Sequence, residues 1–313
     1  MKNIKIVKNR SDIGAGTRGA DLGIDAMEIA AINVENDFFS VNPFLDVPTD
    51  NESIYNKVNT TTAKRIAFVE EHCKRVANAV SKTISDGFFP IVLSGDHSSA
   101  LGTISGVKAA NPNAKLGVIW IDAHADLHSP FTSPSGNIHG MPLAAAMHND
   151  NLSKQSNNHD KETVFHWNNL KKIGTEKPKF LPEDLIFFGV RDTEAAENHL
   201  IESLQIKNFT VPEVRYKGLE TCLQEAIKKL GSCDEIYITF DVDSLDCDFV
   251  SKGTGTPVSF GFSPEEVKQL IVGLLKTNKV VCLEVTEVNP LLDNKANKMA
   301  ETAFDILDFV LKG

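Results

Sequence analysis

Three short segments of the chain concentrate groups that bind cations. In Asp122-Ala123-His124-Ala125-Asp126, three polar side chains stand at i, i+2 and i+4, a spacing that an extended backbone aims to one face. Asp241-Val242-Asp243 repeats the device with two carboxylates, and Gly95-Asp96-His97 contributes another imidazole. Carboxylates crowded into a buried place repel one another and lose their hydration, so they need a proton or a cation. His97 and His124, with Asp122, Asp126, Asp241 and Asp243, make the complement of a binuclear metal site. The set has no thiolate and is dominated by oxygen, which favours Mn²⁺ over structural Zn²⁺ and leaves Co²⁺, Fe²⁺ and Ni²⁺ open. An isolated Asp-x-Asp is commonly a turn, and a lone histidine is commonly a packing or surface residue. His72, His148, His159, His166 and His199 are read in that plain sense. Three acid-and-imidazole segments in one chain are harder to dismiss.

Each segment follows a short apolar run. Residues 88–93 (FFPIVL), 116–121 (LGVIWI), 185–190 (LIFFGV), 236–240 (IYITF) and 280–285 (VVCLEV) read as buried strands. Between them lie amphipathic stretches, including 62–84 and 218–230, with apolar residues at three- and four-residue spacing. This order predicts an α/β fold: a single domain over residues 1–313, with a mostly parallel sheet and helices on both faces. Ligands of open parallel sheets bind beyond the carboxyl ends of the strands. The segments SGDHS, DAHAD, DVDSLD and TEVNP, each at such an end, should therefore converge. Residues 148–182 are rich in Asn, Lys and Ser and read as a polar surface excursion with a short helix around 165–170.

Composition narrows the partners. The 313 residues are 42% hydrophobic and 24% charged, the balance of an ordinary globular protein. A net charge of -10 argues against nucleic acid, which needs clustered Lys and Arg, and suits a cationic ligand. The five cysteines form no CxxC pair and read as reduced thiols. The opening MKNIKIVKNR is not followed by the apolar middle of a signal peptide, and no run approaches the ~20 residues of a membrane span. A cytoplasmic protein without a membrane partner is the expectation.

Taken together, SGDHSSALGTISG, LGVIWIDAHADLHSPFTSPSGNIHGMP, FDVDSLD with the following GTGTP, and EVNP resemble the ureohydrolase superfamily of arginases, agmatinases and formimidoylglutamases. The resemblance runs from about Arg18 to the C-terminus. Within it, Ser135-Gly136-Asn137-Ile138-His139-Gly140 looks like the arginase loop whose Ser and Asn hold the α-amino-acid end of the substrate. Glu194 and Glu197 stand where arginases keep acids near the α-amino group, the first commonly Asp. The resemblance implies that His97, Asp122, Asp126 and Asp241 hold one Mn²⁺ and that His124, Asp122, Asp241 and Asp243 hold a second. It also implies trimers or hexamers. His128 departs from the pattern, standing where arginases commonly carry an Asn that contacts the substrate carboxylate. Ser94, in place of a Gly, reads as a loop change without a role.

Two metal ions sharing one water lower its pKa from ~15.7 toward neutrality and make it a nucleophile. A planar guanidinium needs a carboxylate that can accept paired N–H bonds, and Glu287 at the end of the last predicted strand is the candidate. The resemblance implies a proton shuttle at His139, a substrate-facing hydroxyl at Thr256, and a catalytic part for Asp126 besides its metal ligation. The expected activity is hydrolysis of the guanidino group of L-arginine to ornithine and urea. Agmatine or another guanidino compound is the alternative substrate, raised by His128. A non-catalytic binding protein on the same scaffold would show lost ligands, and none is lost.

Overall fold

Eight strands form one fully parallel sheet in the computed structural model, which describes residues 3–312. They are β1 (Ile4–Asn9), β2 (Phe44–Asp46), β3 (Phe89–Ser94), β4 (Leu116–Ile121), β5 (Leu185–Phe188), β6 (Lys207–Phe209), β7 (Glu235–Asp241) and β8 (Val280–Thr286). Their spatial order is β2-β1-β3-β8-β7-β4-β5-β6. The four strands that precede acid-bearing segments, β3, β8, β7 and β4, are thus neighbours in the middle of the sheet. All run the same way, so their carboxyl ends share one edge.

Strand residues alternate between two apolar layers, as the two-residue period demands. Ile91, Leu93, Ile119, Ile121, Ile238 and Phe240 face a layer that includes residues of the helices Gly23–Asn33, Leu219–Lys229, Pro264–Leu275 and Lys298–Lys312. Val92, Val118, Trp120, Phe187 and Tyr237 face the other, with residues of Ile66–Ser85, Ala100–Ala110 and Lys161–Lys172. Helices therefore cover both faces, as expected. A fully buried Ile, Val or Phe contributes about 1.5–3 kcal/mol, so the two layers hold the central strands firmly in register.

The five predicted strands are present, ending within about two residues of the predicted bounds. β1, β2 and β6 lie outside that prediction. β1 breaks its apolar alternation with Lys8, whose buried stem ends in an ion pair with Glu28 at 2.7 Å. β2 and β6 have three residues each, too few to show a period. The polar excursion holds a 12-residue helix, Lys161–Lys172, longer than expected. Its Trp167 and Leu170 are buried, and His166 meets buried Glu70 of Ile66–Ser85 at 2.6 Å. Ser94 corrects its own reading: it is the last residue of β3, buried, with its hydroxyl donating to buried Glu284. All five cysteines are buried and free. Among the described residues, no helix is long and apolar enough to cross a membrane.

Candidate metal centre and cleft

Past the carboxyl edge of the central strands, Asp122, Asp126, Asp241, Asp243 and His97 are all buried, and His124 is partly so. His97 Nδ1 lies 3.0 Å from Asp122 Oδ2, 3.1 Å from Asp241 Oδ2 and 3.3 Å from Asp126 Oδ2. His124 Nδ1 lies 2.9 Å from Asp243 Oδ2 and 3.6 Å from Asp122 Oδ1. The donor atoms fall into two groups that share Asp122: His97, Asp122 and Asp241, then Asp122, His124 and Asp243. All six sequence candidates for metal ligation are therefore brought together. The route differs from the expected extended run, because Asp126 has φ 50°. The chain turns back after β4, and a left-handed backbone rather than strand alternation returns the second carboxylate to the cluster.

Two atoms test whether a cation fits. His97 Nδ1 and Asp122 Oδ2 are both buried without a hydrogen bond, although they are only 3.0 Å apart. Neither atom satisfies the other at that distance, as befits two ligands of one ion. His97 Nε2 meets Thr239 Oγ1 at 2.9 Å, which leaves Nδ1 free as the ligating nitrogen. The electrostatics agree. Desolvation, then Asp122, raises the Asp126 carboxyl to about 7. Desolvation, then Asp243 and Asp122, pushes Asp241 well above the usual carboxylate range. A cation among these carboxylates removes the repulsion that makes these shifts.

Glu287 stands beside this cluster with φ 66°, its N–H donating to Gly95 O at 2.8 Å. Its Oε1 accepts from the His97 N–H at 2.9 Å and lies 3.2 Å from His139 Nδ1, whereas its buried Oε2 has no partner. Burial opposes the His139 imidazolium, but Glu287, with Asp126 and Asp96, raises its pKa to about 9.

These groups open into a cleft of about 260 Å³. It is lined also by His128, Ser135, Asn137, Glu194, Glu197 and Thr256, so each expected substrate contact faces it. Some are already engaged. Thr256 donates to Asp243 Oδ2 at 3.0 Å. Glu197 accepts from the Leu127 N–H at 3.2 Å and the Glu194 N–H at 3.1 Å, closing a reciprocal cap on the helix Ala195–Ser203. Thr132 Oγ1 accepts from the Ser129 N–H and lies 3.1 Å from His128 Nδ1. His128 Nε2 is buried, lies 3.0 Å from Glu194 Oε2 and makes no hydrogen bond.

Sequence reasoning did not single out the supports. Asp96 accepts from the N–H groups of Gly14 and Ser98, both at 2.8 Å, and Gly14 O accepts from Ile138 and His139. Arg191 donates to the carbonyls of Asp243, Val258 and Ser259 at 2.9–3.0 Å, tying three loops together. Ser133, Pro134, Asp192 and Thr193 also line the cleft. Asp96 sits inside the Gly95-Asp96-His97 segment and Arg191 directly follows a predicted strand, but nothing in their spacing separates a support from a ligand. The five histidines set aside do not line the cleft.

A parallel sheet whose central strand ends carry a two-part acid and imidazole cluster is the architecture of a ureohydrolase. Over its whole length the chain superposes on the arginase structure from Bacillus caldovelox, with a TM-score of 0.85 at 33% identity, covering 99% of that chain. By sequence it is 34% identical to that protein over 310 residues, 98% of this chain and 97% of the relative. It is 31% identical to human Arginase-1 over 262 residues, 83% of this chain and 74% of the relative. Residues 2–311 match the arginase family, and the chain belongs to it.

Proposed function

We propose that the protein hydrolyses the guanidino group of L-arginine, giving L-ornithine and urea, with two Mn²⁺ per subunit. The observation that carries this reading is the buried, partnerless Glu287 Oε2 beside a cluster of four buried aspartates. An unpaired carboxylate oxygen at the floor of a cleft is costly unless a cationic donor fills it, and a guanidinium does so with charge-assisted N–H bonds. His97, Asp122, Asp126 and Asp241 would hold one ion, and His124, Asp122, Asp241 and Asp243 the other. The oxygen-rich donor set fits Mn²⁺, and the ions when bound supply the Lewis acidity that makes water nucleophilic at neutral pH.

The remaining work falls to the side chains. Glu287 Oε2 orients the guanidinium while its Oε1 is held by His97 N–H and His139. His139, kept protonated with Nδ1 on Glu287, delivers a proton from Nε2 to the departing amine. At the outer end, His128 Nε2–H, Ser135 and Asn137 receive the α-carboxylate, and Glu194 and Glu197 face the α-ammonium. A second reading, agmatinase or another guanidino-compound ureohydrolase, is favoured by one observation: Glu194 Oε2 lies 3.0 Å from His128 Nε2 and competes with a substrate carboxylate for it. Oligomers of three or six subunits and a cytoplasmic location complete the proposal, the latter supported by five free thiols.

Urea release from L-arginine and agmatine, with and without Mn²⁺, tests the reading. A cleft built to hydrogen-bond a carboxylate rejects the analogue lacking it by up to ~10⁴-fold. Faster turnover of agmatine overturns the arginine assignment, and undiminished urea release after exhaustive chelation overturns the metal.

A further inference from the structure

Eight acidic side chains line the cleft, Asp122, Asp126, Asp192, Glu194, Glu197, Asp241, Asp243 and Glu287, and among the described residues no lysine or arginine lines it. The four aspartates of the floor are matched by metal and Glu287 by the guanidinium. Three acids are left at the mouth; Glu194 and Glu197 face the α-ammonium, and the α-carboxylate beside them meets no lysine or arginine of the lining. Like charges there repel it, so a cation is needed close behind the rim.

One stands there. Lys64 Nζ lies 3.2 Å from Asn137 Oδ1, across 73 positions of sequence. An ammonium only donates, so it faces the amide oxygen and leaves Nδ2 as the free donor of Asn137. Among the described residues no acceptor meets that Nδ2. Gly16 makes room for it, because a Cβ at that position would come within 2.6 Å. The backbone is fastened at the same place: Lys64 N–H donates to Gly136 O at 2.7 Å. Gly136 has φ +72°, and a Cβ on it would meet Thr61 O at 2.0 Å, so only glycine lets the two segments lie this close. The next residue, Arg65, donates to Ile13 O at 2.8 Å, in the loop whose Gly14 O accepts from the His139 N–H.

We propose that Lys64 is a positioning residue for substrate discrimination: it pins the Asn137 amide with its N–H₂ toward the carboxylate end of the substrate and supplies the positive charge that this acidic rim otherwise lacks. The inference rests on the arginine reading above. It predicts a selectivity based on carboxylate charge that depends on a residue outside the cleft lining.

The test compares L-arginine, L-argininamide and agmatine with the Mn²⁺-loaded wild type, Lys64→Met, Lys64→Gln and Lys64→Arg. Removing the ammonium should raise KM for L-arginine about tenfold or more, the scale of a hydrogen bond to a charged group. Argininamide and agmatine, which carry no carboxylate, should keep their KM, and kcat, manganese content and Tm should hold. Lys64→Gln keeps an N–H donor without charge and should fall between Met and wild type. Lys64→Arg should restore arginine KM. An equal rise of KM for all three substrates, or a fall in manganese content or Tm with it, makes Lys64 a structural clasp and overturns the proposal. Unchanged arginine KM in Lys64→Met also overturns it. A wild type that already prefers agmatine sinks the arginine reading itself, and that result is read before any variant is made.

Discussion

The floor and the rim of the cleft are both acidic, yet their charges live in different media. At the floor, the side chains of Asp122 and Asp243 are 1% exposed and that of Asp241 is 3% exposed, and all stand at the ends of central strands. At the rim, Asp192 and Glu194 are 66% and 55% exposed and ride on the segment after β5. Water screens the rim charges, so their identity can drift at little cost to the fold. The floor charges have no such relief and are tolerable only with cations among them. The departure at His128 lies between the two, buried like the floor but facing exposed Glu194, and all six floor candidates are present.

The largest expected break in the comparison is Asp241→Asn. Its Oδ2 faces His97 and its Oδ1 accepts from the Asp243 N–H at 2.8 Å; under the proposed ligand sets, in which Asp241 serves both ions, the change should weaken both at once. Manganese content should fall further than in a His97 variant, and urea release should drop beyond the ~10²-fold typical of losing an outer partner of a metal ligand. Metal counting on the two proteins decides it, and equal occupancy would remove Asp241 from its bridging role.

Next comes His139→Ala, at the boundary of floor and rim. Turnover should fall about 10²- to 10⁴-fold, the range of positioned acid–base catalysis, while manganese content stays intact. Normal turnover at equal occupancy would mean that another group delivers the proton.

The smallest effect separates the media directly. In the metal-free protein the Asp126 carboxyl is raised from 3.8 to about 7, so between those pH values the folded chain binds more protons there than the unfolded chain. Stability contributed by this group therefore falls as pH rises from about 4 to 7. Thermal melting of the chelated protein should show that slope, Asp126→Asn should flatten it, and Glu194→Gln on the rim should leave it unaltered. If the rim variant flattens it equally, the division between screened and unscreened charge is wrong.

Much of the floor was legible because its chemistry is local. Asp122, His124 and Asp126, or Asp241 and Asp243, are close in the chain, and the apolar runs before them announce buried strands. β3, β4, β7 and β8 follow from the same runs. The rest was hidden for stated reasons: β2 and β6 are three residues long, and the left-handed turn at Asp126 is a backbone state that its side chain does not advertise. Thr239 behind His97 and Arg191 across three loops act through contacts with residues distant in sequence.

By itself, then, the order of residues determined which groups could bind metal, that strand ends would present them, and the family to which they belong. Only the tertiary structure decided which oxygen of Glu287 is free, which nitrogen of His97 faces the aspartates, and that Lys64 reaches Asn137. Residue types and their local periods are written along the chain. The partner of a given atom is set by how eight strands order themselves in space, and that order is fixed by packing on both faces of the sheet.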